Sequence, residues 1–331
     1  SGRAGHERPI PSPDIRRIRV LQRPMLLLIL YAASLLVAMI VALYVGKSGD
    51  GWSIASGGDV ARLAVWRVPR VVGACAAGAM LSMAGALLQR VTGNAMASPE
   101  LIGISAGASL ALILMVWIGE VGALPIGFAA ALGSLGVSIL LLTAGWRSSF
   151  SPQKVILVGI GLSTFLSALM SALLATGDPR GRQILNWLSG STYQISMAEA
   201  VAALISALLL LSVIPLLVRW LDILPLGDTV AASVGIHLRW SRLATLAFVS
   251  IATAIATVVV GPLSFVGLMA PHIVRLSGMR RPLSESIGAA LVGATLMTVA
   301  DWLGRNLLFP YQMPAGLIAT LLGGPYVVWL I

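Results

Sequence analysis

Charged residues are scarce in this chain. Only 10% of its 331 residues are Asp, Glu, Lys or Arg, whereas 58% are hydrophobic. A soluble domain carries roughly 25% charged residues, because polar side chains must cover its surface. The scarcity therefore excludes a soluble enzyme, a disordered tail and a fibrous repeat, and it predicts an integral membrane protein built from helices.

Cysteine is almost absent, and so are the motifs that bind metals or nucleotides. Cys75 is the single cysteine, so no disulfide can form within the chain. No CxxC motif or His/Cys cluster occurs that would indicate a structural metal site. The sequence contains no GxxxxGK[ST] phosphate-binding loop and no constellation of catalytic side chains. We therefore expect a protein that is not an enzyme and that binds no metal or cofactor of its own.

Long apolar runs, in contrast, are abundant. A helix that spans a bilayer needs about 20 mostly apolar residues, and ten runs approach or exceed this length. The eighth is too short for a full span alone, so the runs predict nine or ten spans, with a half-helix as one alternative, and the placement of basic residues favours ten. The runs are Met25–Val45, Val68–Leu88, Leu101–Ile118, Leu124–Gly145, Val155–Ala175, Ala198–Val218, Leu243–Gly261, Leu263–Leu276, Ser286–Gly304 and Ala315–Ile331. The predicted fold class is an all-α integral membrane protein with about ten transmembrane helices in one bundle.

The basic residues are distributed unevenly between the two sides of these runs. If the N-terminus lies in the cytoplasm, about two thirds of the 22 Lys and Arg residues fall on the cytoplasmic side, as the positive-inside rule expects. This distribution predicts that both termini are cytoplasmic. The net charge of +10 then reflects membrane topology, and no nucleic-acid partner is expected.

The first 24 residues differ from the rest of the chain. They are polar and rich in arginine, and the apolar run that follows is long enough to span, so a cleavable signal peptide is not expected. We predict a polar cytoplasmic segment over residues 1–24 and a single ten-helix domain over residues 25–331. The start at Ser1, without a methionine, is expected of a processed or engineered chain, or of a piece of a longer polypeptide.

Two short segments, Pro99–Leu114 and Pro262–Leu276, interrupt the regular pattern of long runs. Each follows a loop that contains Gly or Pro, and each carries Gly or Pro within it. Short interrupted segments in the two halves of a transporter often lie beside the substrate path. The two segments are therefore candidates for such a position.

A polar interruption, Arg219–Arg242, separates the sixth and seventh runs on the predicted cytoplasmic side. Pro225 can end the preceding helix. Asp228 or Thr229 can begin a short helix, because both side chains accept amide hydrogens at a helix N-terminus. Gly235 is placed to end it. Such a helix suits docking into a groove of another protein, and it equally suits an amphipathic helix lying on the membrane surface.

One acidic residue, Asp301, lies inside an apolar run. A charge in this environment needs a partner, and Arg305 stands four residues further along the same helix face. We predict a structural ion pair between them. An ion-driven secondary transporter would need several such residues along a path, and Asp301 alone qualifies. A membrane enzyme would need clustered His, Asp or Glu near a membrane face, and the sequence has no such cluster.

Several long motifs together resemble a known family of membrane proteins. They occur in the order RVPRVVGACAAGAMLSMAGALLQ, GNAMASPELIGISAGA, LPLGDTVAASVG, GPLSFVGLMAPHIVRLSG, ADWLGR and MPAGLIATLLGGPY. This series resembles the permease subunits of binding-protein-dependent ABC importers for iron chelates and cobalamin, over nearly the whole chain after Arg23. The resemblance implies the type II ABC importer permease fold. One departure is Ala95, where the family usually has proline after the asparagine.

Within the family, three segments look most like the ferric hydroxamate branch, in which two ten-span halves are fused in one polypeptide. The segments are GDPRGRQILNWLSGSTY, ILPLGDTVAASVGI and DWLGRNLLFPYQMPAGL, and the chain is similar to the C-terminal half. The resemblance implies a permease subunit or half-permease that moves ferric hydroxamate siderophores across the bacterial inner membrane. A homodimeric permease of the same family for haem, cobalamin or a catecholate siderophore is the alternative.

The resemblance also implies partners. Two cytoplasmic ATPase subunits would bind and hydrolyse ATP, a periplasmic siderophore-binding protein would deliver the ferric siderophore, and a second permease half, fused or a second copy, would complete the membrane part. The ATPases would dock on the coupling loop 219–242. The docking residues that the resemblance implies are Leu226, Gly227, Asp228, Thr229, Ala231, Ala232, Val234 and Gly235.

Two further groups of residues acquire roles from the resemblance. Arg67, Arg70 and Arg305 match positions that receive acidic residues of the binding protein, and arginine suits such pairing because it can bind a carboxylate through two hydrogen bonds. Snorkelling of these side chains to lipid headgroups is the alternative. Asn94 and Met96 match the cytoplasmic gate, or are simply residues of a turn. Two more arginines that could touch substrate or binding protein are Arg180 and Arg182.

Overall fold

The computed structural model describes residues 13–48, 51–118, 126–147, 152–175, 185, 188–193, 195–224 and 227–330. Over these residues the chain forms eleven α-helices, a 3₁₀ helix and a two-stranded hairpin. In chain order they are α1 (Pro13–Tyr44), β1 (Val45–Ser48), β2 (Gly51–Ile54), α2 (Gly58–Thr92), the 3₁₀ helix (Pro99–Ile102), α3 (Ile104–Ile118), α4 (Ile126–Arg147), α5 (Pro152–Leu174), α6 (Met197–Leu221), α7 (Asp228–Ser233), α8 (Leu238–Val260), α9 (Val266–Leu276), α10 (Pro282–Asn306) and α11 (Ala315–Leu330).

Each of the ten predicted apolar runs coincides with a helix. In the part of the chain that the structure describes, seven helices are long and apolar enough to cross a membrane, and α3, α9 and α11 are shorter apolar helices. Helix α9 has 11 residues, so it is about 16 Å long and cannot cross a hydrocarbon core about 30 Å thick. The all-α membrane fold is thereby confirmed. Below, the inner end of a helix is the end that the sequence predicts to face the cytoplasm.

Helix α1 crosses the predicted boundary between the N-terminal segment and the membrane domain. It begins at Pro13 and continues without a break through Pro24. Residues 1–12 lie outside the described part of the chain. The division at residue 24 therefore separates two compositions within one helix, because the arginine-rich stretch continues directly into the apolar one.

Helix α2 forms the centre of the bundle. In its most apolar window 83% of the residues are buried, against 6% for α1 at the periphery. Small residues allow this burial, since helix backbones can approach closely where no side chain intervenes. Gly78 faces the backbone of Gly293 on α10, and Gly85 faces the backbone of Gly267 on α9. The position of α9 is therefore set by contact with α2 at a glycine pair.

The hairpin β1–β2 covers the outer end of α10. Its antiparallel register pairs Val45 with Ile54 and Ser48 with Gly51. The indole N–H of Trp302 donates to the Val45 carbonyl at 3.0 Å, and the ring of Trp52 stacks on Trp302. The hairpin thus connects the end of α1 to α10.

Candidate functional site

The coupling loop forms the short helix α7, as the sequence predicts. Gly227 precedes it with φ of 104°, and Gly235 follows it with φ of 85°. Both are left-handed conformations that favour glycine. The Gly235 N–H donates to the carbonyl of Ala232 at 3.0 Å and closes the last turn. Leu226 and Pro225 lie outside the described residues.

The N-terminus of α7 differs from the prediction. Asp228 is the first helical residue, but the N-cap is Gly227 and no side chain caps the helix. The carboxylate of Asp228 instead binds Arg242 Nη2 on α8 at 2.5 Å. The expected capping by Asp228 or Thr229 was therefore wrong, because a charged donor competes better for a carboxylate than a backbone amide. The ion pair connects α7 to α8.

Helix α7 presents a face of small side chains away from the bundle. Ala231 is buried, while its neighbours are exposed, including Val234 at 62%. The exposed positions are Gly227, Asp228, Thr229, Val230, Ala232, Ser233, Val234 and Gly235. Most side chains on this face are small, and Val230 and Val234 add exposed apolar surface to it.

Asp301 is the centre of an ion cluster near the outer ends of α2 and α10. Its side chain is buried, and Arg70 Nη2 lies 3.2 Å from Oδ1. Arg305 Nε lies 3.0 Å from Oδ2, although the two atoms are not aligned for a hydrogen bond. The hydroxyl of Thr192 also donates to Oδ1. The two residues paired in the sequence prediction are therefore in contact, and Arg70 joins them.

Arg67 and Arg305 donate to the end of α1, whereas Arg70 Nη1 donates to the side chain of Gln312 at 2.8 Å. Arg67 Nη1 donates to the carbonyl of Leu43 at 2.6 Å, and Arg305 Nη2 donates to that of Ala42 at 3.1 Å. These carbonyls belong to the last turn of α1, where they lack partners within the helix. The side chains of Arg70 and Arg305 are only 11% and 10% exposed. In this conformation the arginines connect α1, α2 and α10.

Asn94 and Met96 lie in the turn that follows α2 at its inner end. The side-chain oxygen of Asn94 accepts the N–H of Met96 at 2.9 Å, and its carbonyl accepts the N–H of Ala97 at 3.1 Å. An asparagine can close a turn in this way without proline. Ala95 therefore does not disrupt the turn. Arg180 and Arg182 lie outside the described residues.

A second ion cluster, which the sequence analysis missed, joins α2, α9 and α10 at their inner ends. Glu285 is buried and accepts from Arg90 Nη2 at 2.6 Å and from Arg275 Nη1 at 2.8 Å. Arg275 also donates to Gln89 Oε1 at 2.5 Å. The sequence signal that could have predicted this cluster is a single acidic residue, Glu285, close to the basic residues at the inner ends of these helices. Among the residues with a described structure, no group of three or more His, Cys, Asp or Glu could hold a metal ion.

Helix α5 exposes hydroxyl groups to which the sequence analysis assigned no role. Thr164, Ser167 and Ser171 are exposed, and only 17% of the helix window is buried. The hydroxyls of Thr164 and Ser171 donate to carbonyls one turn earlier at 2.9 Å, so they need no other partner. This face tolerates both a polar and an apolar neighbour. The spacing of Ser and Thr along the run was the signal for it.

The chain matches the FecCD transport family over residues 25–331. It is 46% identical over 302 residues to the iron(3+)-hydroxamate import system permease protein FhuB of Salmonella typhimurium, which covers 90% of this chain and 44% of that protein. It is 35% identical over 274 residues to the ferric enterobactin transport system permease protein FepG of Escherichia coli, over 80% of this chain and 81% of that protein. The chain thus spans less than half the length of FhuB.

Among solved structures, the fold is similar to that of a metal-chelate type ABC transporter in an inward-facing conformation. The TM-score is 0.81, with 24% sequence identity, over 93% of this chain and 98% of that chain. At this identity the comparison concerns the fold. It confirms the type II permease architecture expected from the sequence motifs.

Proposed function

We propose that this chain, which belongs to the FecCD transport family, is a permease half of an ABC importer that moves ferric hydroxamate siderophores across the bacterial inner membrane. The observation that carries the proposal is the 46% identity to an iron(3+)-hydroxamate permease over 90% of the chain. Since the match covers 44% of that protein, a second permease half, fused or a separate copy, would complete the pathway. Both termini would lie in the cytoplasm.

Two cytoplasmic ATPase subunits would supply the energy, because the chain contains no phosphate-binding loop. They would dock on the exposed face of α7. The ion pair between Asp228 and Arg242 supports this role, since it connects the docking helix to α8, which packs against α2 at the centre of the bundle. ATP binding would then favour one arrangement of the two permease halves over the other.

Replacing Gly235 by valine should impair ATP-dependent transport. A β-branched residue is strained at φ of 85°, so the end of α7 would change shape. We expect transport to fall about tenfold or more, from a local strain of roughly 1–2 kcal/mol. The measurement is ATP-dependent uptake in proteoliposomes. Gly235→Asn is the matched control, because asparagine tolerates this conformation; equal uptake by the valine variant and the wild type would contradict the docking role.

A periplasmic siderophore-binding protein would dock at the outer end of the bundle, near Arg67, Arg70 and Arg305. Arg67 is the best candidate for direct contact, because it does not bind Asp301 in this structure. Arg70 and Arg305 would then hold the surface on which docking occurs. Their contacts with Asp301 support this structural part.

Substitution of Arg67 by glutamine should weaken the binding protein's affinity by about fivefold, mainly through slower association, because a rim charge steers encounter. Surface plasmon resonance at two salt concentrations measures this. Arg62→Gln is the control, since Arg62 is exposed on the same helix. If Arg67→Gln lowers only the melting temperature and leaves the affinity unchanged, Arg67 serves only to connect α2 with α1.

The translocation path would pass along the exposed hydroxyl face of α5 and end at the turn with Asn94 and Met96. Thr164, Ser167 and Ser171 support this, because their hydroxyls can exchange hydrogen bonds with a hydrated chelate at little cost. The hydroxyls of Thr164 and Ser171 remain satisfied within α5 when no substrate is present.

Uptake by the complete transporter tests the substrate. Proteoliposomes that contain both permease halves, the ATPases and the binding protein should accumulate a ferric trihydroxamate when ATP is supplied, and should not accumulate a ferric catecholate, haem or cobalamin. If the transporter instead accumulates the ferric catecholate, haem or cobalamin, that compound is the substrate and the hydroxamate proposal is wrong. Uptake driven by an ion gradient without ATP would contradict the ABC mechanism.

A further inference from the structure

The two short interrupted segments meet inside the bundle. The 3₁₀ helix Pro99–Ile102 leads into α3, and its Pro99 lies against Gly267 in the first turn of α9. Both Ile102 and Val266 are buried. Two helices therefore begin next to each other in the interior, at positions 165 residues apart in the chain.

The side chain of Glu100 connects these two segments. Its Oε2 accepts the backbone N–H of Phe265 at 3.2 Å. Phe265 is the N-cap of α9, and no side chain of its own segment caps that helix. In a capping box, a glutamate three residues into the helix accepts the N–H of the N-cap. Here Glu100 makes that hydrogen bond from a distant part of the chain.

The hydrogen bond between Glu100 and Phe265 involves a residue with an unfavourable backbone conformation. Phe265 has φ of 70°, the one positive value at a non-glycine residue in the described part of the chain, and such a conformation is costly for a bulky side chain. The other oxygen of Glu100, Oε1, is buried without an aligned hydrogen-bond partner there. A buried carboxylate and a strained backbone would not persist together unless the surrounding contacts held them.

Helix α9 is thus fixed by side chains at both ends. At its inner end, Arg275 binds Glu285 on α10 and Gln89 on α2. At its other end, Glu100 binds it to the 3₁₀ helix, which directly follows the turn with Asn94 and Met96. Separating α9 from this segment would break the hydrogen bond of Glu100, and separating it from α2 or α10 would break those of Arg275.

We propose that Glu100 is a positioning residue that makes the inner turn 93–98 and helix α9 move as one unit during the transport cycle. The inference rests on the proposed transport function, because the unit matters only if the inner gate opens and closes. The hydrogen-bond acceptor, rather than the negative charge, is the required property, since the N–H of Phe265 is the group that Glu100 holds.

Three substitutions separate these properties in the complete transporter. Glu100→Ala removes the acceptor, and Glu100→Asp places the carboxylate one methylene short of Phe265, so both should lower uptake of a ferric trihydroxamate by about tenfold or more. Glu100→Gln keeps an acceptor oxygen at the same reach and should retain uptake within about twofold. Glu199→Ala is the matched control, because Glu199 closes a capping box within a single segment, at the start of α6.

A second measurement does not depend on the substrate. Spin labels at positions 96 and 276, in a Cys75→Ala background, report the distance between the turn and α9. The wild type and Glu100→Gln should give one narrow distribution, and Glu100→Ala and Glu100→Asp a broadened or split one. Wild-type distributions and uptake in Glu100→Asp, or loss of both in Glu100→Gln, would overturn the proposal. If the wild type does not transport a hydroxamate but the distributions still differ as expected, the substrate assignment fails and the positioning role stands.

Discussion

Replacing Glu285 by alanine should lower the free energy of unfolding by about 3–5 kcal/mol, the range for removing one partner of a buried ion pair. Glu285 is 1% exposed and accepts hydrogen bonds from both Arg90 and Arg275. Without it, two guanidinium groups at the inner ends of α2 and α9 lose their shared counter-charge. Unfolding by denaturing detergent in mixed micelles measures the change.

An exposed ion pair provides the control for this prediction. Asp228 binds Arg242 at 2.5 Å, but its side chain is 58% exposed. Because the Asp228 carboxylate is largely in water, its pairing with Arg242 gains little over its hydration, and Asp228→Ala should cost about 1 kcal/mol or less. Similar losses in the two variants would mean that burial of Glu285 does not determine the strength of the inner cluster.

Replacing Gly85 by alanine should destabilise the bundle by about 3 kcal/mol, at the upper end of overpacking effects. An added Cβ would overlap the carbonyl oxygen of Gly267. Neither backbone can yield easily, because α2 is central and α9 is held at both ends. The variant should therefore accumulate poorly in the membrane, which fluorescence-detection size-exclusion chromatography measures, together with the midpoint of thermal unfolding.

Gly136 on α4 is the matched control for Gly85. Apart from the backbone of its own helix, no atom of the described residues lies within 4 Å of a Cβ built at this position, so Gly136→Ala meets no neighbour among them. It should be neutral or stabilising by up to about 1 kcal/mol, because alanine loses less backbone entropy in a helix than glycine. If both alanine variants are equally stable, close approach at Gly85 is not what positions α9.

The parts of the fold that the sequence predicts depend on local patterns. The length of each apolar run is enough to predict a helix. Gly235 was predictable as the end of α7 because glycine adopts a left-handed conformation that other residues avoid. The contact between Asp301 and Arg305 was predictable because four residues separate them on one helix. The hairpin was missed, although the sequence Ser48-Gly49-Asp50-Gly51 is a recognisable turn signal.

The parts that the sequence does not predict depend on contacts between distant segments. Arg70 joins Asp301 from 231 residues away, and Glu100 reaches Phe265 across 165 residues. No periodicity within a single helix encodes such pairs. The predicted side-chain capping of α7 was wrong for the same reason, because Asp228 binds Arg242 on the next helix.

The cluster around Asp301 also has a consequence for biogenesis. Arg70 emerges from the ribosome with α2, whereas Asp301 follows only after 231 further residues have been synthesised. During that interval Arg70 lacks its counter-charge, and the last turn of α1 lacks the donor that Arg305 later provides. The contacts of Arg70 and Arg305 at the outer end therefore form only after α10 has been inserted, late in the assembly of the bundle.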